Sequence, residues 1–430
     1  EWKKLSPDGG WDPVGKLGGL HAGGGKWGGL GIWAVLGHMK YEHTKPYEDW
    51  FWEKNKITLK KAWVEKVDFN AKKVVSQKGT EVTYDKLILA TGSQSNKFGW
   101  PGQDLEGVQG LYSLQDLEKM EASTKNVKNA VVIGGGLIGI EMAEMLHSRN
   151  IHVTYLIREA HFWGNVLPEG EAQLIDNHLK EHGIDLRKET ELEEIIDNGS
   201  GKVGAVKTKA GETIPCEFVG LTVGVHPNID LFKNTNLETD RGILVDDFLQ
   251  TNITDVYALG DCAQLKHPPA HRRAIEAVWY VGRMMGETVA HTITGNPTKY
   301  IPGIWFNSAK FFDIEYQTYG MVTPERGDDQ QSFYWECDDG KKCIHIVFNT
   351  NTKEVDGINT FGIRQRHEVW DKWLTEKRTI EYVIQNLKKA NFDPEFFKRY
   401  EGDIQKQFNS QFEGNVRITK PTFFQRLLNY

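Results

Sequence analysis

Apolar runs that alternate with segments of helical spacing are typical of an α/β protein. The run Ala130–Ile133 is continuously apolar, as in the strands of a buried parallel sheet. Ile140–Ser148 follows with its apolar positions at helical spacing, and Ile151–Ile157 is a second apolar run. We therefore predict a strand, a helix and a second strand here, which together form the βαβ unit of a parallel sheet.

Shorter elements are predicted on either side of this unit. Ile57–Val75 alternates and contains short strand candidates, and Lys86–Ala90 is predicted to be a short buried strand. Ser113 is a suitable N-cap for a helix that runs to Ala122. Further helices are predicted over Tyr47–Lys54, Glu171–His182 and Arg273–Thr294, and further strand segments over Ile184–Glu193, Ala205–Thr213, Phe218–Gly224 and Ile253–Asp261, the last ending in an exposed Gly-Asp.

The last part of the chain mixes both kinds of element. Strands are predicted over Ser332–Trp335 and Cys343–Phe348. Charged amphipathic helices are predicted from about His367 to Phe408. This composition favours an α+β domain with a helical tail.

Composition and charge exclude several classes of function. The chain has 430 residues, of which 39% are hydrophobic and 26% charged, as in a globular protein of two or three domains. The net charge is −7 and the chain contains no polybasic strip, so we expect no nucleic-acid partner. The longest apolar runs, such as Val131–Ile140, fall well short of the roughly 20 residues that span a bilayer. We therefore expect no membrane span.

The cysteines and histidines match no familiar reactive pattern. The four cysteines, Cys216, Cys262, Cys337 and Cys343, form neither a disulfide framework nor a CxxC pair. No HExxH, GxSxG or Walker pattern is present, so we predict no metal site. A reducing cytoplasm is the compartment that this cysteine usage favours.

Residues 1–36 differ from the rest of the chain. They include 11 glycines and four tryptophans and show no strand or helix periodicity. Gly23, Gly25 and Gly28 formally satisfy GxGxxG, but no β-branched run precedes them. We therefore assign no phosphate loop to this segment, and our hypothesis is that its residue identities are unreliable.

A second GxGxxG motif has its full structural context. Gly134, Gly136 and Gly139 follow the predicted strand at once and lead into the predicted helix. The first glycine allows a tight turn, the second lets a pyrophosphate approach the backbone, and the third lets helix and strand pack closely. The helix N-terminus supplies free N–H groups to the phosphates. We therefore predict dinucleotide binding here.

The end of the second predicted strand should decide between NADH and NADPH. An acidic residue there would hold the ribose 2′-OH, whereas an arginine would favour a 2′-phosphate. Ile157 occupies the usual acidic position, with Arg158 and Glu159 directly after it. Arg158 favours a phosphate and Glu159 could still hold a 2′-OH, so both nucleotides remain open.

Three motifs occur in a recognisable order and spacing: Ala90-Thr91-Gly92 at a strand end, Gly134–Gly139, and Gly260-Asp261 after a strand. Across about residues 40–325 they resemble the two-dinucleotide flavoproteins of the FAD-dependent pyridine nucleotide-disulfide oxidoreductase family. The resemblance implies FAD and NAD(P)H as cofactors. It also implies an α/β fold with two Rossmann-like dinucleotide-binding domains and a C-terminal α+β interface domain.

The resemblance assigns roles around the flavin. Thr91 and Gly92 would lie at the crossing between the FAD and NAD(P) domains, and Asp261 would accept hydrogen bonds from the ribityl chain. Cofactor contacts are also expected from Val64 and Ala90.

Two helices carry further candidates. Glu141 would lie near the nicotinamide and flavin N5; the alternative is an exposed glutamate that interacts with the helix dipole. Glu276 and Trp279 lie on a predicted helix that is similar to one in ferredoxin and rubredoxin reductases, where the tryptophan lies beside the isoalloxazine. The helix start near Ala274 would then face the flavin pyrimidine edge, although Trp279 could equally be plain core packing.

The resemblance favours a branch of the family without redox cysteines, since no cysteine occurs before Cys216. The implied function is electron transfer from NAD(P)H through FAD to an iron–sulfur protein such as a ferredoxin or rubredoxin. The alternatives are an NADH oxidase that uses oxygen and a non-catalytic nucleotide-sensing protein of the apoptosis-inducing-factor type.

The same resemblance divides the chain into three domains. The FAD domain would comprise residues 1–122 and 247–300, the NAD(P) domain 123–246, and the interface domain 301–430. The resemblance is also compatible with a homodimer formed through the C-terminal domain.

Overall fold

The computed structural model describes residues 47–392 and 398–419. Everything inferred above for residues 1–36 therefore lies outside the described residues. The described chain forms two compact units. The larger unit comprises residues 47–165 and 175–303, and the smaller unit comprises residues 166–174, 304–392 and 398–419.

The larger unit contains many short strands and few helices. Its helices are α1 (Asp49–Lys54), α2 (Leu114–Ser123), α3 (Leu137–His147), the second part of α4 (Glu169–Glu181) and α5 (Trp279–Ile293). Its strands are β1 (Val64–Asp68), β2 (Lys73–Ser76), β3 (Glu81–Thr83), β4 (Leu87–Leu89), β5 (Ser93–Ser95), β6 (Val108–Gln109), β7 (Asn129–Ile133), β8 (His152–Leu156), β9 (Asp185–Arg187), β10 (Leu192–Asp197), β11 (Val203–Thr208), β12 (Thr213–Pro215), β13 (Phe218–Leu221), β14 (Val225–Pro227), β15 (Ile243–Val245), β16 (Val256–Ala258) and β17 (Ala263–Leu265).

A five-stranded parallel sheet organises the middle of this unit. Its strand order is β6-β13-β7-β8-β9, and each neighbouring pair is parallel. Val131 on β7 lies between Thr154 on β8 and Val219 on β13, and all three side chains are buried. Burial on both faces explains why β7 is continuously apolar. The predicted βαβ unit is confirmed as β7, α3 and β8.

Smaller sheets surround the parallel one. Strands β1-β2-β3 and β10-β11-β12 form two antiparallel sheets. Three further pairs are β4 with β16 and β15 with β17, both parallel, and β5 with β14, which is antiparallel. A second core forms where β15 and β16 pack with α5, with Val245, Val256 and Val281 fully buried. The predicted N-cap Ser113 is confirmed, and the structure adds a capping box, since Ser113 and Asp116 bind each other's backbone N–H groups.

Two secondary-structure predictions for this unit need correction. The strand predicted over residues 86–90 forms as β4 (Leu87–Leu89), but it is not buried as expected, because Ile88 is 42% exposed. The helix predicted from Arg273 begins instead at Trp279, because Val278 is extended at φ −133° and ψ 132°. The preceding chain is held outside a helix by a hydrogen bond from the Leu265 N–H to the Ala274 carbonyl at 2.9 Å.

The smaller unit is an antiparallel sheet with helices. Its strands, in the spatial order β18-β19-β22-β21-β20, are all antiparallel to their neighbours. They are β18 (Phe306–Phe311), β19 (Ile314–Gly320), β20 (Gln330–Glu336), β21 (Cys343–Asn349) and β22 (Val355–Phe361), and the helices are the start of α4, α6 (His367–Thr375), α7 (Ile380–Asn386) and α8 (Glu401–Phe412). Trp370 and Phe408 bury their rings in the core of this unit. The strands predicted over residues 332–335 and 343–348 are confirmed within β20 and β21.

Among the described helices, none is both long and apolar enough to cross a membrane.

Candidate functional site

The glycine motif forms the turn between β7 and α3, and two of its positions exclude any other residue. Gly134 has φ +113°, and a Cβ there would lie 2.5 Å from the carbonyl oxygen of Thr222. A Cβ on Gly139 would lie 2.2 Å from the hydroxyl of Tyr155 and 2.5 Å from the carbonyl oxygen of Gly134. Both glycines are therefore required by the close approach of helix and sheet.

Gly136 has a different environment from the other two glycines. A Cβ on Gly136 would meet no described atom within 4 Å, and the backbone there is extended. The space beside it is open, and it lies at the N-cap of α3. Within the described residues, the N–H groups of Gly135, Leu137 and Ile138 donate no hydrogen bond. These free donors and the open space fit a pyrophosphate.

Two buried hydroxyls stabilise the glycine turn by donating hydrogen bonds to its backbone carbonyls. The Tyr155 hydroxyl donates to the carbonyl oxygen of Gly134 at 2.8 Å and lies 3.3 Å from that of Gly136. The Thr222 hydroxyl donates to the carbonyl of Ile133 at 2.8 Å. Complete burial raises the pKa of Tyr155 well above its ordinary value, so the hydroxyl stays a donor. Sequence analysis missed Tyr155, because an apolar run does not reveal that one of its aromatic rings reaches the next turn.

The segment after β8 brings Glu159 to the same turn. A carboxylate oxygen of Glu159 lies 3.5 Å from the Cβ position of Gly135. The Arg158 side chain is 74% exposed and donates to the other Glu159 oxygen at 2.9 Å. Ile157, at the usual acidic position, is buried. The structure therefore brings Glu159 to the glycine turn and leaves Arg158 at the surface, paired with Glu159.

Glu141 is buried on α3, so the alternative of an exposed glutamate at the helix start is wrong. Burial, together with the neighbouring carboxylate of Glu144, raises the pKa of Glu141 well above its ordinary value. A raised pKa favours the neutral carboxylic acid, which can donate as well as accept a hydrogen bond. Its placement near the nicotinamide stays a prediction.

The residues predicted for the flavin side converge on Asp261. The Tyr112 hydroxyl donates to Asp261 Oδ2 at 3.0 Å and accepts from the Ser93 N–H at 2.8 Å. Burial raises the pKa of Asp261 and raises the pKa of Tyr112 to about 12. Gly260 and Asp261 are both half-buried, so the expected exposed Gly-Asp is wrong. Tyr112 is a further residue that sequence analysis missed.

Glycines let the chain pass close to this pair. Gly92 has φ +70°, and a Cβ there would lie 2.7 Å from the Tyr112 hydroxyl. Gly260 has φ +71° and packs against Gly282 of α5. The Thr91 hydroxyl donates to the carbonyl of Asn228 at 2.6 Å, beside the β5–β14 pair. Thr91, Gly92 and Asp261, although distant in sequence, therefore lie in one region, together with Ala90 between β4 and Thr91.

The remaining candidates take other positions. Glu276 lies in the loop before α5, where its buried carboxylate is bound by both Nε and Nη2 of Arg272, at 2.7 and 2.5 Å. Trp279 is the first residue of α5 and is 38% exposed, so plain core packing is wrong. Val64 lies at the start of β1 and is 38% exposed. The cofactor contacts of these three residues stay predictions.

The cysteines lack the environment of nucleophiles. Cys216, Cys262 and Cys343 are buried and Cys337 is half-buried, and none is in a disulfide. Burial raises the pKa of Cys216 to about 12 and also raises that of Cys262. A thiol with a raised pKa is a poor source of thiolate. This supports the expectation that both side chains pack rather than react.

The residues present fit both predicted cofactors. The free N–H groups at α3 suit the phosphates of NAD(P)H, as argued above. The carboxylate of Asp261 is half-buried, and its partial burial makes an unpaired oxygen costly, so it suits the hydroxyls of a flavin ribityl chain. The first FAD phosphate loop of the family would lie outside the described residues.

Comparisons with known proteins agree with this geometry. The family model described as pyridine nucleotide-disulphide oxidoreductase matches residues 35–286, which is more than half of the chain. The nitrite reductase [NAD(P)H] of Bacillus subtilis is 35% identical over 218 residues, covering 50% of this chain and 27% of that protein. The assimilatory nitrate reductase electron transfer subunit of the same organism is 31% identical over 358 residues, covering 81% of this chain and 43% of that subunit.

A solved structure shows the same fold. The ferredoxin reductase of the CYP199A2 system from Rhodopseudomonas palustris superposes with a TM-score of 0.67 at 21% identity, covering 79% of this chain and 90% of that protein. The chain spans less than half the length of the two curated relatives. The family model and the fold confirm the predicted α/β class, and FAD and NAD(P)H are the cofactors of the family. The chain belongs to the pyridine nucleotide-disulphide oxidoreductase family.

Proposed function

We propose that this chain oxidises NAD(P)H and passes the electrons through FAD to a one-electron iron–sulfur protein. One observation carries the proposal: an open, donor-rich glycine turn and the half-buried Asp261–Tyr112 pair occur in one compact unit. The two features fit the two dinucleotides of a single electron path. When bound, the flavin supplies the conversion between two-electron and one-electron transfer.

The protein's own residues hold the cofactors. The N–H groups of Gly135, Leu137 and Ile138 would bind the pyrophosphate of NAD(P)H, and Tyr155 keeps their turn in place. Asp261 would accept a hydrogen bond from a ribityl hydroxyl, with Tyr112 fixing the orientation of its carboxylate. Each NAD(P)H oxidised would reduce two one-electron carriers and release one proton.

A protein acceptor is supported by relatives whose names specify electron transfer, including a ferredoxin reductase and an electron transfer subunit. It is further supported by the buried cysteines, which offer no thiol relay. A homodimer through the smaller unit and a cytoplasmic location, which the four free cysteines favour, belong to the same proposal.

A steady-state assay with NADH or NADPH and several acceptors tests this function. We expect fast reduction of a ferredoxin or rubredoxin and slow consumption of oxygen. Fast oxygen consumption without transfer to a carrier would identify an oxidase. A flavin-loaded protein that binds the nucleotide but reduces none of the acceptors would be a nucleotide sensor.

A further inference from the structure

A fully buried carboxylate in the larger unit takes no part in the site described above. Asp176 lies on α4 with an exposure of 0%. Its Oδ1 accepts from the Phe162 N–H at 2.9 Å. Its Oδ2 lies 2.9 Å from Nδ1 of His161 and 3.0 Å from Nζ of Lys188. One buried carboxylate therefore holds three donors.

These donors come from two loops that leave the parallel sheet side by side. His161 and Phe162 belong to residues 157–163, which follow β8, whereas Lys188 follows β9. The loops are also joined directly, because the carbonyl of Ile157 accepts from the Thr190 N–H at 2.8 Å and that of Glu159 accepts from the Glu189 N–H at 3.1 Å. Asp176 binds both loops from the α4 side.

The two loops contain backbone conformations that need support. Trp163 has φ +53° and Glu189 has φ +50°, in the left-handed region that non-glycine residues rarely occupy. Such conformations persist where surrounding contacts hold them. Asp176 contacts Phe162 and Lys188, which directly precede Trp163 and Glu189, so its hydrogen bonds hold the chain next to both strained residues.

The loop after β8 carries Glu159, whose carboxylate lies beside Gly135 of the dinucleotide turn. We propose that Asp176 is a positioning residue for nucleotide choice: it holds Glu159 where its carboxylate accepts the ribose 2′-OH of NADH and repels the 2′-phosphate of NADPH. This inference rests on the proposed function and adds to it a preference for NADH. Arg158 does not offset that preference, because it is exposed and paired with Glu159.

The same helix supplies a matched control. Glu171, in the smaller unit, is also a fully buried carboxylate on α4, and its Oε1 lies 3.0 Å from Nδ1 of His345. Its Oε2 accepts from Asn359 at 2.8 Å. Glu171→Gln therefore disturbs a buried carboxylate–histidine pair of the same kind without touching the loops at residues 157–163 and 188–190.

The test measures dissociation constants of NAD⁺ and NADP⁺ by calorimetry on the flavin-loaded protein, together with the melting temperature. The unmodified protein is expected to bind NAD⁺ more tightly. Asp176→Asn should weaken NAD⁺ binding by about tenfold and NADP⁺ binding little, in line with loss of a precise hydrogen-bonding position. Glu171→Gln should lower the melting temperature and leave both constants unchanged.

Lys188→Met removes only one partner of Asp176 and serves as the test variant if Asp176→Asn does not fold. It should likewise raise the dissociation constant of NAD⁺ relative to that of NADP⁺. The inference is overturned if the unmodified protein prefers NADP⁺, or if the folded variants weaken both nucleotides equally or neither. An unmodified, flavin-loaded protein that binds no dinucleotide would instead overturn the proposed function itself.

Discussion

Alanine substitutions at Gly136 and Gly139 should have opposite consequences, although both glycines belong to one motif. At Gly139, a Cβ would lie 2.2 Å from the Tyr155 hydroxyl, 2.5 Å from the Gly134 carbonyl oxygen and 2.7 Å from the Thr222 hydroxyl. All three distances are far inside the roughly 3.5–4.0 Å of a favourable contact. Two of the three neighbours are anchored by hydrogen bonds, so we expect Gly139→Ala to cost about 3 kcal/mol of unfolding free energy, the upper part of the range for overpacking.

At Gly136 a Cβ would meet no described atom within 4 Å, and the extended backbone accepts any residue. Loss of glycine at an N-cap should cost less than about 1 kcal/mol. The added methyl group would occupy the space that a pyrophosphate needs. We therefore expect Gly136→Ala to weaken NAD⁺ binding by at least about tenfold, about 1.4 kcal/mol, with the fold retained.

Urea unfolding and nucleotide titration on both variants separate the two effects. The double variant Gly139→Ala with Tyr155→Phe provides a control, because it removes the nearest of the three clashing atoms and should recover part of the stability. The reasoning fails if Gly136→Ala unfolds as readily as Gly139→Ala, or if Gly136→Ala binds NAD⁺ normally.

Further expectations concern the flavin side, Glu141 and the thiols. Tyr112→Phe removes a hydrogen bond to the half-buried Asp261 carboxylate and should weaken FAD binding by about 1.5–3 kcal/mol, which is measured as a larger fraction of FAD lost on ultrafiltration. Unchanged FAD retention would show that this pair does not support the flavin. The pKa of Glu141 is raised on folding, so its folded state holds a proton more tightly and loses stability as pH rises above about 4.5. Glu141→Gln should accordingly unfold at a higher urea concentration than the unmodified protein at pH 8 and at a similar concentration near pH 4. Equal unfolding midpoints of the two proteins at both pH values would contradict a raised pKa of Glu141. A variant with all four cysteines replaced should keep most of its NAD(P)H-dependent reduction of a one-electron acceptor, and normal flavin reduction without onward transfer would reveal a thiol relay.

Local features of this chain could be predicted from its sequence. The βαβ unit depends on apolar periodicity and on glycine spacing within residues 130–157, which one short window contains. The cap at Ser113 depends on a partner only three residues away. In both cases the interacting groups are close in sequence, so the pattern itself specifies them.

Features that depend on distant partners could not be predicted in this way. Tyr112 and Asp261 are 149 positions apart, and nothing near either residue indicates the other. The burial of Glu141 follows from the packing of α3 against the sheet, whereas its position after the glycine motif equally suits an exposed helix start. The late start of α5 at Trp279 reflects hydrogen bonding of the preceding loop to β17.

Anaerobic stopped-flow mixing of the purified, flavin-loaded protein with NADH tests the central claim most directly. The visible absorbance of the oxidised flavin reports each stage, because reduction of the flavin bleaches it. We expect this absorbance to fall on mixing with NADH and to return when an oxidised ferredoxin or rubredoxin is added, with two carriers reduced for each NADH consumed. An absorbance that does not fall, or one that falls and returns only when oxygen is admitted, would contradict electron transfer from the nicotinamide to a protein carrier.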